Sequence, residues 1–306
     1  MDVLNVAGIS KKIGKRQILK DLSFKIEEGE IVGFVGPNGA GKTMTMRIIT
    51  GMVRPGSGDV EVCGFSVKTA RREAVQKMVW VIENPAFYNS LSGKANIQIA
   101  LGLRGLTPET YRSIVGATGF PERISEKVGK YSLGMKQRLM LAISIWSGAR
   151  LLLLDEPTNG LDPTGILELR ASLRETVSRR RQSVLISSHH LTEIEEICDR
   201  VVFIDRGKII RISRIEREGK QPMVTLEVDD SDAAGRLLDA SGLVQNLSEG
   251  ESRVSFSTGK DDFTKVLRLL LEHNIAVRGI DRADTGMEQA YQTLYMRDKN
   301  DSPDET

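Results

Sequence analysis

Residues Gly36-Pro37-Asn38-Gly39-Ala40-Gly41-Lys42-Thr43 combine the types that hold a chain of phosphates. Glycines let backbone N–H groups curl around an anion, a lysine reaches the β- and γ-phosphates, and the hydroxyl beside it sits on Mg²⁺. A second chemical group is Asp155-Glu156, at the end of the apolar run Leu151 to Leu154. One carboxylate there can hold Mg²⁺ through water while its neighbour polarises an attacking water. A strand ending in Asp-Glu is common on its own, and the phosphate loop makes it informative. The third piece is Tyr131-Ser132-Leu133-Gly134-Met135-Lys136-Gln137-Arg138. Ser132 is a good N-cap, and a helix starting near Leu133 would turn free N–H groups and a positive dipole end toward an anion. From these residues alone a plain capped helix is the better reading. Together the groups imply a nucleoside triphosphate and Mg²⁺ as ligands.

These residues need a scaffold that brings strand ends together. Ile31–Val35, Met78–Ile82, Leu151–Leu154, Val184–Ile186 and Val201–Ile204 are apolar throughout and are separated by helical stretches such as Thr164–Arg181. That pattern predicts an α/β fold with a buried, mostly parallel sheet, whose carboxyl edge is where ligands bind. Ile31–Val35 would deliver the loop, and Met44–Ile49 would be the helix that follows it. Leu22–Ile26 and Asp59–Val62 alternate better and predict an antiparallel addition. Residues 84–150 form a largely helical insert containing Pro85, a helix start at Thr107-Pro108-Glu109 and a Gly119-Phe120-Pro121 turn. A boundary falls near Glu216–Pro222, where Gly219 and Pro222 break the pattern. Beyond it, strands at Val224–Val228, Arg253–Phe256 and Ala276–Ile280 mix with helices near Ala233–Ala240 and Asp261–His273, which predicts a small α+β module over 222–298. The Phe263, Val266, Leu267 and Leu270 stripe is a core face, and residues 299–306 are a polar, frayed tail.

Composition sets the setting. The chain of 306 residues is long enough for about two domains. Two cysteines, Cys63 and Cys198, make neither a disulfide framework nor a metal cluster and suit a reducing cytosol. The first residues have no basic and apolar leader pattern, and no apolar run approaches a membrane span. The net charge of +2 splits into a basic body over 1–219 and an acidic remainder. A basic body suits phosphate ligands or an anionic membrane face, although ordinary solubility charge explains it as well.

The order and spacing of Gly36–Thr43, Tyr131–Arg138, Leu151–Glu156 and Ser187-Ser188-His189 resemble those of an ABC transporter ATP-binding subunit. The resemblance covers about residues 3–215. The Tyr-Ser-Leu-Gly-Met-Lys-Gln-Arg variant, the Ile82–Tyr88 segment and the extra carboxyl-terminal module narrow it to the bacitracin-resistance and lantibiotic-immunity exporters. It implies a P-loop ABC nucleotide-binding domain over 1–219, with a parallel core sheet, an antiparallel β addition and a helical subdomain at about 84–150, followed by an accessory α+β domain. It implies catalysis by Glu156 as general base, His189 as the switch histidine and Lys42 on the phosphates. ATP would be bound by Gly36, Asn38, Gly39, Ala40, Gly41, Lys42, Thr43, Met44 and Ile13. From the opposite subunit of a head-to-tail dimer, Ser132, Gly134 and Asp162 would close the site, Asp162 lying in the interface loop Asn159-Gly160-Leu161-Asp162. Metal contacts would come from Thr43, Asp155 and Glu83. His190 is a surface residue on this reading.

Two positions depart from the usual pattern. Glutamine is usual where Glu83 stands, and the lantibiotic-immunity type carries glutamate; a carboxylate can ligate Mg²⁺ directly, whereas an amide is neutral. Ile13 stands where an aromatic normally stacks on adenine, a contact contributing about 1–3 kcal/mol, so weaker or less base-selective binding is expected unless Ile13 is simple apolar filling. The resemblance further implies an integral-membrane permease and a second ATP-binding subunit as partners, and a cytoplasmic place on the inner face of the cell membrane. No nucleic acid is expected. A soluble ABC-type ATPase acting on ribosomes or nucleic acid is the competing reading, and such proteins usually carry two cassettes or long coiled-coil inserts. A sensor that binds ATP without hydrolysis is disfavoured because Lys42, Asp155, Glu156 and His189 are all in place.

Overall fold

The computed structural model describes residues 1–81, 87–105, 107–189, 191–215 and 223–283. The chain divides into two compact units, Met1–Ile215 and Glu216–Thr306. The boundary read at Glu216–Pro222 and the tail at 299–306 lie outside the described residues.

The first unit opens with a hairpin of β1 (Asp2–Ile13) and β2 (Arg16–Glu27), after which β3 (Ile31–Val35) runs through the phosphate loop into α1 (Lys42–Ile49). β4 (Ser57–Val62), β5 (Phe65–Ser66), α2 (Arg71–Gln76) and β6 (Met78–Val81) follow, and then three helices, α3 (Gly93–Arg104), α4 (Pro108–Ala117) and α5 (Leu133–Ile145). The unit closes with β7 (Leu151–Asp155), α6 (Pro163–Arg180), β8 (Ser183–Ser188), α7 (Leu191–Ile197), β9 (Arg200–Asp205) and β10 (Lys208–Arg214).

Among the described residues, six strands form the central sheet in the order β10-β9-β3-β8-β7-β6. All neighbours are parallel except β10, which runs antiparallel to β9 at the edge. Every residue of β3 and β8 is buried, which accounts for the apolar runs Ile31–Val35 and Val184–Ile186: both faces of the sheet are covered. Because β3, β8 and β7 are parallel neighbours, their carboxyl ends converge, and so do the phosphate loop, the His189 turn and the Asp155-Glu156 pair.

A second, antiparallel sheet, β2-β1-β4-β5, packs on this framework. Leu4, Val6, Leu22, Phe24 and Val60 share one core with Phe34, Met46, Ile49 and Leu153. The Phe24 and Phe34 rings stack with centroids 5.5 Å apart. The expected antiparallel addition is therefore present, but it also includes β1. Irregular pairing blurs the alternation of β1, with register shifts at several points along its ladder with β2. α3, α4 and α5 have their own core of Ile97, Ile114, Phe120, Val128, Tyr131 and Leu139. Ser92 caps α3, Pro108 opens α4 and Ser132 caps α5, as local propensity dictates.

The second unit contains β11 (Met223–Val228), α8 (Ser231–Ser241), β12 (Gln245–Gly250), β13 (Arg253–Ser257), α9 (Lys260–Glu272) and β14 (Val277–Ala283). Its antiparallel sheet has the order β12-β13-β11-β14, a split βαβ of ferredoxin-like topology. Val224, Leu226, Val254 and Phe256 from the sheet meet Leu238, Phe263, Val266 and Leu270 from the helices, so the α9 stripe is a core face. β12 was not legible: it is largely exposed and has no apolar face. Among the described residues, no helix is long and apolar enough to cross a membrane.

Candidate active site

The loop after β3 is built on close backbone approach. A Cβ on Gly36 would lie 2.2 Å from the Ile204 carbonyl oxygen. Gly41 has φ 115° and, as the N-cap of α1, offers no side-chain acceptor to the first-turn N–H groups of that helix. Lys42 is only 7% exposed. Its Nζ donates to the Gly36 carbonyl at 2.6 Å and the Pro37 carbonyl at 3.4 Å, and stands 3.7 Å from Glu156 Oε1. Burial pulls its pKa down, while Glu156 and Asp155 pull it back up.

The two carboxylates are held differently. Asp155 ends β7, with Thr43 Oγ1 donating to its Oδ2 at 2.8 Å and Ser187 Oγ donating to its Oδ1. Glu156 follows in the left-handed region, φ 50°, which costs a non-glycine residue on the order of 1–3 kcal/mol. Its N–H reaches Ser187 Oγ at 3.0 Å and the Ser187 carbonyl at 3.2 Å. The side chain then meets His189, with Nδ1 2.8 Å from Glu156 Oε2. A cleft of about 360 Å³ is lined by Pro37, Asn38, Gly39, Gly41, Lys42, Thr43, Met44, Asp155 and Glu156, together with Arg16 and Ile18.

The donors fit a magnesium–triphosphate ligand. Among the described residues, no cluster of three or more His, Cys, Asp or Glu could hold a metal alone. Mg²⁺ is commonly held by one or two carboxylates, phosphate oxygens and waters. Thr43 and Asp155 provide one hydroxyl and one carboxylate in contact, beside a glycine-lined cradle.

Several expected residues lie elsewhere. Ile13 sits at the β1–β2 tip, 53% exposed and paired with Arg16, and is not part of the cleft lining. Arg16 and Ile18 line the cleft instead. Ser132 accepts from Met135 N–H at the start of α5, and Gly134 faces the Gly160 carbonyl, where a Cβ would come within 3.2 Å. Neither lines the cleft in this chain. Asp162 caps α6 through Gly165 N–H and pairs with Arg138. Glu83 and His190 lie outside the described residues. Residue reading gave no role to Ser187, Arg16 or Arg138. The register of β7 against β8 would have exposed Ser187, but register is not visible in one strand's sequence.

The family described as ABC transporter matches residues 19–159, from within β2 to the turn after Glu156. An uncharacterized ABC transporter ATP-binding protein of Bacillus subtilis (strain 168), YhcH, is 37% identical over 94% of this chain and 94% of its own. The chain belongs to the ABC transporter ATP-binding proteins. It is also similar to the bacitracin transport ATP-binding protein BcrA of Bacillus licheniformis, 31% identical over 95% of this chain and 97% of that one. The lantibiotic transport ATP-binding protein SrtF of Streptococcus pyogenes is 38% identical over 68% and 89% of the two chains. A solved dimeric ATP-binding cassette in a post-hydrolysis state, bound to ADP and Pi, shares the fold with a TM-score of 0.64 at 20% identity, covering 70% of this chain and 99% of that one. This ABC ATPase thus binds ATP with the α/β cassette of its family, and its likeness to YhcH and BcrA extends over nearly the whole chain.

Proposed function

We propose that this ABC ATPase is the energy-supplying subunit of an exporter, working with a separate integral-membrane permease on peptide antibiotics of bacitracin or lantibiotic type. The observation that carries this is the meeting of Lys42, Thr43, Asp155, Glu156 and His189 at the carboxyl ends of three adjacent parallel strands. The cargo class rests on likeness to BcrA and SrtF.

The chain's own residues divide the work. Lys42 exchanges the Gly36 carbonyl and Glu156 carboxylate for phosphate oxygens, recovering charge pairing for a buried ammonium. Thr43 donates its proton to Asp155 and keeps its oxygen lone pairs for a cation. Mg²⁺, held by Thr43 and Asp155, would neutralise charge on the β- and γ-phosphate oxygens. Glu156 takes a proton from the attacking water as its oxygen bonds to the γ-phosphorus and the bond to the ADP oxygen breaks. His189 steadies the Glu156 carboxylate through Nδ1 and directs its other ring nitrogen toward the γ-phosphate. Glu83 is a further metal contact on this reading, and Arg16, which lines the cleft where Ile13 does not, is the candidate contact for the base or the phosphates.

Ser132, Gly134 and Asp162 complete the site from a second copy, so ATP closes a head-to-tail dimer and hydrolysis reopens it. Residues 222–298 form an accessory domain that stabilises the dimer or regulates turnover. The protein works in the cytoplasm, on the inner face of the membrane. Affinity purification of the full chain from membranes tests the reading. Recovery with a permease whose presence confers peptide-antibiotic resistance is expected; recovery with ribosomes and no permease would overturn it.

A further inference from the structure

Asp155 and Ser187 are direct partners in the ladder between parallel strands β7 and β8. Ser187 is fully buried. Its hydroxyl has one proton and two lone pairs to assign. The proton goes to Asp155 Oδ1, and a lone pair receives the Glu156 N–H at 3.0 Å. One hydroxyl therefore touches both acidic residues at the end of β7.

We propose that Ser187 is a positioning residue for ATP hydrolysis, setting the direction of both carboxylates at once; this rests on assigning Asp155 to the metal and Glu156 to the base. With Ser187 on Oδ1 and Thr43 on Oδ2, the Asp155 carboxylate is held from both sides and cannot turn about its terminal torsion. The Glu156 side has the same origin. Its left-handed backbone, φ 50°, sends the carboxylate toward Lys42 and His189, and the bond from its N–H to Ser187 Oγ holds that conformation. His189 lies two residues beyond Ser187, so the element that fixes the base also carries the residue that contacts it. Loss of the hydroxyl frees Asp155 to rotate and leaves Glu156 N–H with the longer bond to the Ser187 carbonyl, 3.2 Å.

The test compares full-length wild type with Ser187→Ala, Ser187→Cys and Ser187→Thr. The measurements are kcat, KM for ATP, the Mg²⁺ concentration for half-maximal rate, ATP affinity in EDTA, and melting temperature. Outer-shell partners of metal ligands typically alter metal affinity or activity by about 10–100-fold when removed. Ser187→Ala should lower kcat and raise the Mg²⁺ requirement by roughly that range, leaving ATP affinity in EDTA unchanged. Ser187→Thr should recover most of the loss. In an Asp155→Asn background, Ser187→Ala should shift Mg²⁺-dependent ATP binding no further, since the two act through one contact. Wild-type kcat and Mg²⁺ dependence in Ser187→Ala would overturn the proposal. So would a loss matched by weaker ATP binding in EDTA, or misfolding of both the Ala and Cys variants, either of which would assign the hydroxyl to stability. Full turnover in Glu156→Gln would instead remove the underlying assignment of the base, whatever the Ser187 variants show.

Discussion

His189 Nδ1 lies 2.8 Å from Glu156 Oε2, linking the residue after β8 to the residue after β7. An ionised carboxylate only accepts, so with Glu156 as carboxylate the donor in this contact is assigned to Nδ1. The ring is then oriented by the same side chain that the proposed mechanism assigns as base, and the two should fail together.

Glu156→Gln should slow hydrolysis by roughly 10²–10⁴-fold, the usual worth of a positioned base, while ATP binding persists. His189→Ala should fall in the same range, and the double variant should lose little more than either single one, because residues acting as a unit are non-additive. Single-turnover hydrolysis and equilibrium ATP binding measured on all three variants check this. Additive losses would separate the roles of the two residues.

Lys42 gives a stability prediction with a definite sign. Burial lowers its pKa below the 10.5 of an ordinary lysine, so the unfolded chain holds this proton more tightly than the folded one. The charged form therefore costs stability at neutral pH, and the cost is relieved as pH rises through the folded pKa toward 10.5. Lys42→Met should abolish ATP binding yet melt at a higher temperature than wild type at pH 7, with the gap closing in alkali. Melting curves recorded without nucleotide decide it; a lower melting temperature at pH 7 would reject the burial argument.

The parallel sheet was legible because strands covered on both faces carry continuous apolar runs, such as Leu151–Leu154 and Val184–Ile186. The site was legible where chemistry and chain order coincide: Lys42 with Thr43, and Asp155 with Glu156. What was hidden depends on partners distant in sequence. Ser187 gains its place only from the β7–β8 register, and Arg16 only from the hairpin that places it by the loop. β12 escaped notice because an exposed polar strand carries no burial pattern to read.

Ile13 and Arg16 make opposite predictions about nucleotide affinity. Arg16 lines the cleft, and a guanidinium can stack on a base or pair with phosphate. Such a contact contributes about 1–2 kcal/mol, so Arg16→Ala should weaken ATP binding by roughly 5–30-fold. Ile13→Ala should change it far less, since Ile13 is 53% exposed at the hairpin tip. Titrations with ATP and with inorganic tripolyphosphate locate the contact: a loss confined to ATP assigns Arg16 to the base, and an equal loss assigns it to phosphate. An Ile13→Ala effect as large as that of Arg16→Ala would return the base contact to Ile13.

Arg138 reaches from α5 to two acids, with Nη2 2.9 Å from Asp162 Oδ1 and Nη1 2.9 Å from Glu168 Oε2. The guanidinium is the main influence holding the Asp162 carboxyl below its usual pKa, with help from Gly165 N–H. Both groups are partly exposed, so the pairs add little to stability. Their geometric effect is larger, because Ser132 caps α5 and Gly134 lies in its first turn, and Asp162 ends the Asn159–Asp162 segment. Arg138 fastens together two surfaces that face the second copy in the proposed dimer. Arg138→Ala should leave ATP affinity of the monomer unchanged and weaken ATP-dependent dimerisation of the Glu156→Gln protein. Arg138→Lys should fall between, since it keeps the charge and loses the two-pronged geometry. Sedimentation velocity with and without ATP measures the effect; equal dimerisation in all three proteins would confine Arg138 to local packing.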